Sequence, residues 1–450
     1  MTDFRDRLRR VALAGVLPVV VLSCGSAGAA DAVPGEQWCD VPGGDGIVRE
    51  IGRIEFAGNR VTRPEVMLRE IPQRVGEPCS LDDIIDGVQG MADLGLFRTV
   101  RAEIELAGDG GLVLRYRVRE KLFFLAIPRL SRTSDGELRT GLQLRWDNFG
   151  GRLHELRATA ERRQENDGAG RAGYVYSIDY EVPRFLGSAW GAGLSLSAER
   201  RQAGFARESR EFGEGMRESL AASVGVSRWI GPYDGIRGLR GYVGVGFEER
   251  ELEVHEGHAG PYRGGTDLSL SVGVENRELH RDPYRRRGHV AGIRLGLAGG
   301  WTGSDFEHHR LDLDVRWYHP LEGGIRNLNL RVRLGLSDGA AFGEEAYTIG
   351  GGELLRGVAS GRDSGDLLTL LNVEYLAAFF TRPQWRWVAF ADLGNVHRRG
   401  RLRLFAQNLS GGLGLRYKLR ALTRTDLRLD VAWDPDERRA VPYVATSVTF

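Results

Sequence analysis

The chain has 450 residues, 62 of them basic and 61 acidic, with a formal net charge of +1; so even a balance provides no field to draw in a nucleic acid. Its 63 glycines are about twice the usual share, whereas there are only 3 cysteines and 4 methionines. Past the N-terminus no apolar run reaches the roughly 20 residues that a spanning helix needs, so a place in a membrane would have to be taken by strands.

Arg5, Arg7, Arg9 and Arg10 precede an apolar stretch from Val11 to Leu22 and the small residues Ala27, Gly28 and Ala29. That is the layout of an export signal over residues 1–29. A second reading is lipid attachment at Cys24, because Val21-Leu22-Ser23-Cys24 loosely resembles a lipobox. Both send the chain out of the cytoplasm, and residues 30–46 come next as a linker. With Cys24 removed or modified, Cys39 and Cys79 remain as an even pair in an oxidising compartment. A disulfide between them is expected, the alternative being two separate buried thiols.

Residues 47–120 read as a small mixed domain. Ile54 and Phe56 alternate on a strand that stops at the turn signal Gly58-Asn59. Thr62 is placed as an N-cap with Glu65 three positions on, a capping box. Ser80 and Asp83 repeat the device ahead of Ile84, Val88 and Met91, an apolar stripe ending near Gly95. Val100, Ala102, Ile104 and Leu106, then Leu112, Leu114, Tyr116 and Val118, alternate on two strands around the turn Gly108-Asp109-Gly110-Gly111. This order, with Leu94-Gly95-Leu96-Phe97 at the helix exit and Val118-Arg119-Glu120 on the last strand, resembles a POTRA domain, the periplasmic module of the bacterial surface antigen superfamily. The resemblance implies that an exposed sheet edge takes up a client or partner strand through main-chain hydrogen bonds. A domain that merely spaces or anchors the C-terminal region is the alternative.

From residue 121 to 450 the pattern has period two. Leu328, Leu330, Val332, Leu334 and Leu336 alternate with Asn329, Arg331, Arg333 and Gly335, and Leu427, Leu429, Val431 and Trp433 with Arg428 and Asp430. A soluble sandwich could not cheaply bury those arginines on an inner face. A lipid-facing apolar side and a hydrated lumen account for both runs, and turn signals divide the region into about sixteen strands. The expected fold is therefore an all-β transmembrane antiparallel barrel behind a small α+β domain. Eight of the 9 tryptophans, among them Trp146, Trp190, Trp229, Trp301 and Trp317, lie here, mostly towards strand ends as an interfacial girdle would place them. Val444, Thr446, Val448 and the terminal Phe450 share one face of the last strand, an ending that looks like the signal by which outer-membrane barrels are assembled.

Between the eleventh and twelfth strands runs Gly350-Gly351-Gly352, then Leu355-Arg356-Gly357; Glu374 lies on the next strand, and Phe390-Ala391-Asp392-Leu393-Gly394 on the one after. The ordering resembles the BamA/TamA-type barrels of the same superfamily, which insert or translocate other proteins. The resemblance implies that Arg356, on a loop folded into the lumen, is held by Glu374 and Asp392. A planar guanidinium suits that task because it bonds two carboxylates at once. Leu239-Arg240-Gly241-Tyr242 copies the tetrapeptide better but lacks this setting, so Arg240 reads as an ordinary strand start, and Val358 stands where the family has an aromatic residue. Asp282-Pro283-Tyr284-Arg285-Arg286-Arg287-Gly288 looks like the family's Pro-x-x-Gly periplasmic turn, and is read as a solvated one. Pro128 lies in the first barrel strand and Pro442 opens the last. Since proline removes a ladder donor, the seam where these strands meet carries two imperfections and is expected to open for a client strand.

An enzyme is the poor alternative. There is no Gly-x-Ser-x-Gly, no His-Glu-x-x-His, no paired Cys-x-x-Cys and no phosphate-cradling loop; no cofactor is expected, and His308-His309 on one strand is a weak metal candidate. The expected setting is the cell outer membrane, with the N-terminal domain in the periplasm. Expected partners are lipid, unfolded or exported client proteins and periplasmic accessory proteins. Two-partner secretion and a passive channel or surface receptor are the competing readings.

Overall fold

The computed structural model describes residues 20–23, 39, 49–107, 110–132, 138–164, 173–185, 188–207, 210–230, 236–282, 284–379, 382–398, 408–423, 426–434 and 438–445. Cys24, the Ala27–Ala29 cleavage site, most of the linker and Thr446 to Phe450 lie outside them.

The N-terminal domain has the expected order: strand Ile51–Ala57, helix Pro64–Leu68, helix Leu81–Asp93, then strands Phe97–Leu106 and Leu112–Glu120. Ile84, Val88 and Met91 on the second helix pack on Val100, Ala102, Ile104, Leu112, Leu114 and Tyr116 in one core, while Leu106 points out to solvent. Ser80 caps this helix by accepting from the Asp83 N–H. The first helix is capped differently. Its N-cap is Arg63, with Pro64 at the first helical position and no side-chain cap. Thr62 is drawn away because its hydroxyl accepts from Asn148 of the barrel at 2.9 Å, and Glu120 takes the free N–H groups of Arg60, Val61 and Thr62. A disulfide joins Cys39 to Cys79, with Cα atoms 5.4 Å apart. The sheet runs Phe97–Leu106, Leu112–Glu120, Ile51–Ala57, and Val20–Ser23 lies antiparallel along its outer edge, opposite Arg101–Ile104.

Beyond Leu122 a single antiparallel sheet of sixteen strands runs without a break from Phe124–Arg132 to Arg439–Ala445. Pro442 sits within that last strand, opposite Val431, rather than opening it. Outward positions are apolar and exposed, as Leu194, Leu196, Val243, Val245, Leu334, Leu336, Leu429 and Val431 illustrate. Arginine and aspartate alternate behind them, Arg331 pairing with Asp314 at 2.7 Å. Trp146, Trp190, Trp301 and Trp317 are exposed, but Trp229 is not: it faces inward beneath the guanidiniums of Arg240 and Arg277, so it packs the lumen instead of a girdle. The strand Arg210–Ile230 has 21 residues, about twice what a bilayer requires. With its neighbours Trp190–Arg207 and Gly238–Gly257 it extends away from the N-terminal domain.

That domain docks under the barrel. The Arg63 N–H donates to the Gly151 carbonyl, and Asp93, at the end of the second helix, accepts from the Arg281 N–H at 2.6 Å and meets His280 at 3.1 Å. The turn after Arg281 is not a freely solvated one. Arg386, on the inner face of a distant strand, donates to the Tyr284 carbonyl at 2.9 Å, and the Arg286 N–H donates to Asn327, so the turn folds inward beneath the lumen.

Candidate functional site

Between the strands Arg326–Gly339 and Leu367–Phe379 the chain leaves the wall. It forms a short hairpin, Tyr347–Ile349 paired with Asp363–Gly365, and turns into the barrel. Leu355 and Val358 are buried with Ile349 against Leu368, Leu370 and Val396 of the inner wall. The twelfth strand explains why: Leu367-Leu368-Thr369-Leu370-Leu371 is apolar on both faces, one for lipid and one for the loop. The departure at Val358 is thus accommodated in an aliphatic pocket.

Arg356 lies at the turning point and is 2 % exposed. Its Nε and Nη2 donate to the two oxygens of Asp392, each at 2.6 Å, and its Nη1 donates to Glu374 at 2.5 Å. Asp392 also accepts from the Arg356 N–H and from Asn372, whose amide in turn donates to the Leu354 carbonyl. The guanidinium stacks on Phe390 at 3.6 Å from the ring centroid. The sequence-predicted group Arg356, Glu374, Phe390 and Asp392 is therefore brought together on a loop and two adjacent strands. Gly394 keeps the wall clear: a Cβ there would meet Leu370 and the Thr369 carbonyl at 2.9 Å.

Three further charged residues complete the cluster: Arg428 and Asp430, which sequence reasoning left in an ordinary alternation, and Arg416, which it did not single out. Asp430 lies 3.4 Å from Arg356 Nη1 and pairs with Arg416 and Arg428, and Arg416 reaches Glu374 at 3.3 Å. Three guanidiniums thus face three carboxylates, all six side chains buried. At this point the loop shuts the inner face of the wall off from bulk solvent. Removing six charges from water is tolerable only when each is paired and hydrogen-bonded, which this geometry achieves. The available signal was Gly411-Gly412-Leu413-Gly414: a Cβ on Gly414 would fall 2.0 Å from Asp430 Oδ1, so that strand leaves space for the carboxylate.

Gly350, Gly351 and Gly357 have positive φ, Gly352 does not. At Gly357 (φ +87) a side chain would also meet the Trp433 carbonyl at 2.8 Å, so the loop backbone lies directly on the fifteenth strand. Arg240 is elsewhere, beside Glu181 and Glu275. His308 bonds to Asp267, and no cluster able to hold a metal ion occurs among the described residues. Pro128 and Pro442 lie in the first and last strands of the sheet.

A second buried group lies where the N-terminal domain docks. Burial pushes the Glu70 carboxyl up to about 7, against the opposing pull of Arg237 and Arg184.

Residues 50–121 match the POTRA family described as a surface antigen variable number repeat, and residues 148–441 match the Omp85 superfamily domain. Among solved structures, BamA from Haemophilus ducreyi lacking POTRA domains 1-3 is similar at 16% identity and a TM-score of 0.53, over 99% of this chain and 92% of that one. CdiB from Acinetobacter baumannii is similar at 16% identity and a TM-score of 0.56, over 88% of this chain and 72% of that one. CdiB from Escherichia coli gives 14% and 0.60, over 89% and 74%. These likenesses are of fold. With well over half of its length matched to that domain, the chain belongs to the Omp85 superfamily.

Proposed function

We propose that this protein sits in the outer membrane with its POTRA domain in the periplasm and assists the insertion or translocation of other proteins. The observation that carries the proposal is the burial of Arg356 against Glu374 and Asp392. A loop folded into a lumen loses much conformational freedom, and a bidentate guanidinium on two strands is a directional anchor strong enough to offset that loss. Membership of the Omp85 superfamily supports the same reading. The outer edge of Phe97–Leu106, which Val20–Ser23 of the expected export signal overlies, is open to another strand once that signal is removed, and this supports client or accessory-protein capture by strand addition. Pro128 and Pro442 weaken the ladder on either side of the seam, where a client strand would be templated.

Depleting the protein from its own cells and quantifying outer-membrane proteins tests this. A subset should disappear, return with the intact chain, and fail to return with Arg356→Ala or with cysteines cross-linked across the seam. An unchanged set, together with ion conductance by the purified protein in liposomes, would favour a passive channel. The likeness to the two CdiB structures favours a second reading, two-partner secretion. Loss of one exported protein with every barrel intact would select it.

A further inference from the structure

The loop meets more of the wall than its arginine requires. The Gly357 N–H donates to the Tyr443 hydroxyl at 2.9 Å. A Cβ on Gly352 would fall 2.9 Å from the Tyr443 ring, and Arg428 donates to the Gly352 carbonyl at 3.2 Å. Tyr443 belongs to Arg439–Ala445, the last strand of the sheet, and stands opposite Asp430 on the neighbouring one. Its ring packs against Leu376, Val388, Phe390 and Ala432. The bond runs from a backbone donor that the turn at Arg356 leaves without a strand partner, to a side chain on the one strand that faces the seam from the C-terminal side.

We propose that Tyr443 is a latch: it joins the inward loop to the seam strand, so that the last strand swings out only when the loop lets go. The chain of contacts is continuous. Arg356 fixes the loop on Asp392 and Glu374, the Asp430 carboxylate is shared by Arg356, Arg416 and Arg428, and Arg428 and Tyr443 both grip the loop backbone on either side of Arg356. The two ends of that grip lie on the last two strands, whereas Asp392 and Glu374 lie on the twelfth and thirteenth. Releasing the loop therefore frees the seam strand while the wall behind it stays in place. Tyr443 acts through the loop and the strand, and is a positioning residue. The latch rests on the proposed role of the seam, and gives it a residue-level control.

Amide hydrogen exchange on the full chain in lipid nanodiscs tests the latch without any client. Tyr443→Phe keeps the ring and removes only the hydroxyl. Exchange across Arg439–Ala445 should quicken about fivefold, the change that losing one neutral hydrogen bond produces, with Leu367–Phe379 unchanged. Arg428→Gln should act in the same direction, and Arg356→Lys more strongly. Equal exchange in Tyr443→Phe and wild type would overturn the latch, as would quickening spread evenly over the twelfth to fifteenth strands. If the strand loosens as expected but the outer-membrane protein set of cells carrying Tyr443→Phe and Arg356→Ala is normal, the latch stands and the insertion reading falls.

Discussion

The long wall and the C-terminal wall of this barrel solve the same problem in opposite ways. On the outward face of the fifth and sixth strands, Trp190–Arg207 and Arg210–Ile230, charged residues beyond the lipid belt stay near water; Arg200 and Glu218 pair across them at 3.1 Å with about half of each side chain exposed. In the twelfth to fifteenth strands charges of the same kinds are shut away from water by a loop, and Arg356, Asp392 and Asp430 make several short bonds each. Exposed pairs are worth little because solvent screens them. Buried ones cost desolvation, so they persist only where geometry is close to ideal, and breaking one strands the others. The difference teaches where function is to be sought, since the period-two pattern looks identical in both walls.

Removing Arg356 should break the contrast most sharply. Arg356→Ala leaves Asp392 and Glu374 buried with a partner gone, a loss of about 3–5 kcal/mol, seen as a lower unfolding temperature in detergent. Opening the disulfide comes next. Cys39→Ser with Cys79→Ser lengthens the free chain by a loop with a sequence separation of 40, for which about 3–4 kcal/mol is expected. Melting with and without reductant should reproduce that drop in the N-terminal domain and leave the barrel transition in place.

Glu70 gives an effect of intermediate size with a definite sign. Its carboxyl moves from 4.5 to about 7 on folding, mainly through burial. Since the folded value lies above the unfolded one, docking stability is complete below about pH 4.5. It falls as pH rises towards 7 and is lowest above, by up to about 3 kcal/mol. Glu70→Gln should flatten the slope of stability against pH measured between pH 4.5 and 8. Arg237 and Arg184 face Glu70 with Asp93 beside them, and all three are retained in the variant. At the small end, Arg200→Ala should change stability by less than about 1 kcal/mol. A loss as large as that of Arg356→Ala would erase the distinction between the two walls.

Much of this molecule was legible in its sequence because lipid enforces alternation: an outward leucine such as Leu334 has no other place to go, and Arg333 behind it must turn inward. The strand and helix order of the N-terminal domain was legible for a different reason, since burial in its own core spaces Ile84, Val88 and Met91 at helical intervals. Hidden features depended on contacts between distant segments. Asp430 and Arg428 look like lumen residues until the loop is seen to cover them. Thr62 fits a cap box until Asn148 of the barrel takes its hydroxyl, and the Tyr284 turn reads as solvated until Arg386 reaches it. Trp229 likewise carries a girdle's composition but sits under two arginines. In each case a tertiary partner overrode a local rule that was sound by itself.

The central claim, that Arg356 holds the loop inside the barrel, is tested most directly by labelling a cysteine at Val358, which is 1 % exposed. In intact cells, Val358→Cys should resist a membrane-impermeant maleimide and become reactive when Arg356→Ala is added. Equal labelling in both backgrounds would contradict it.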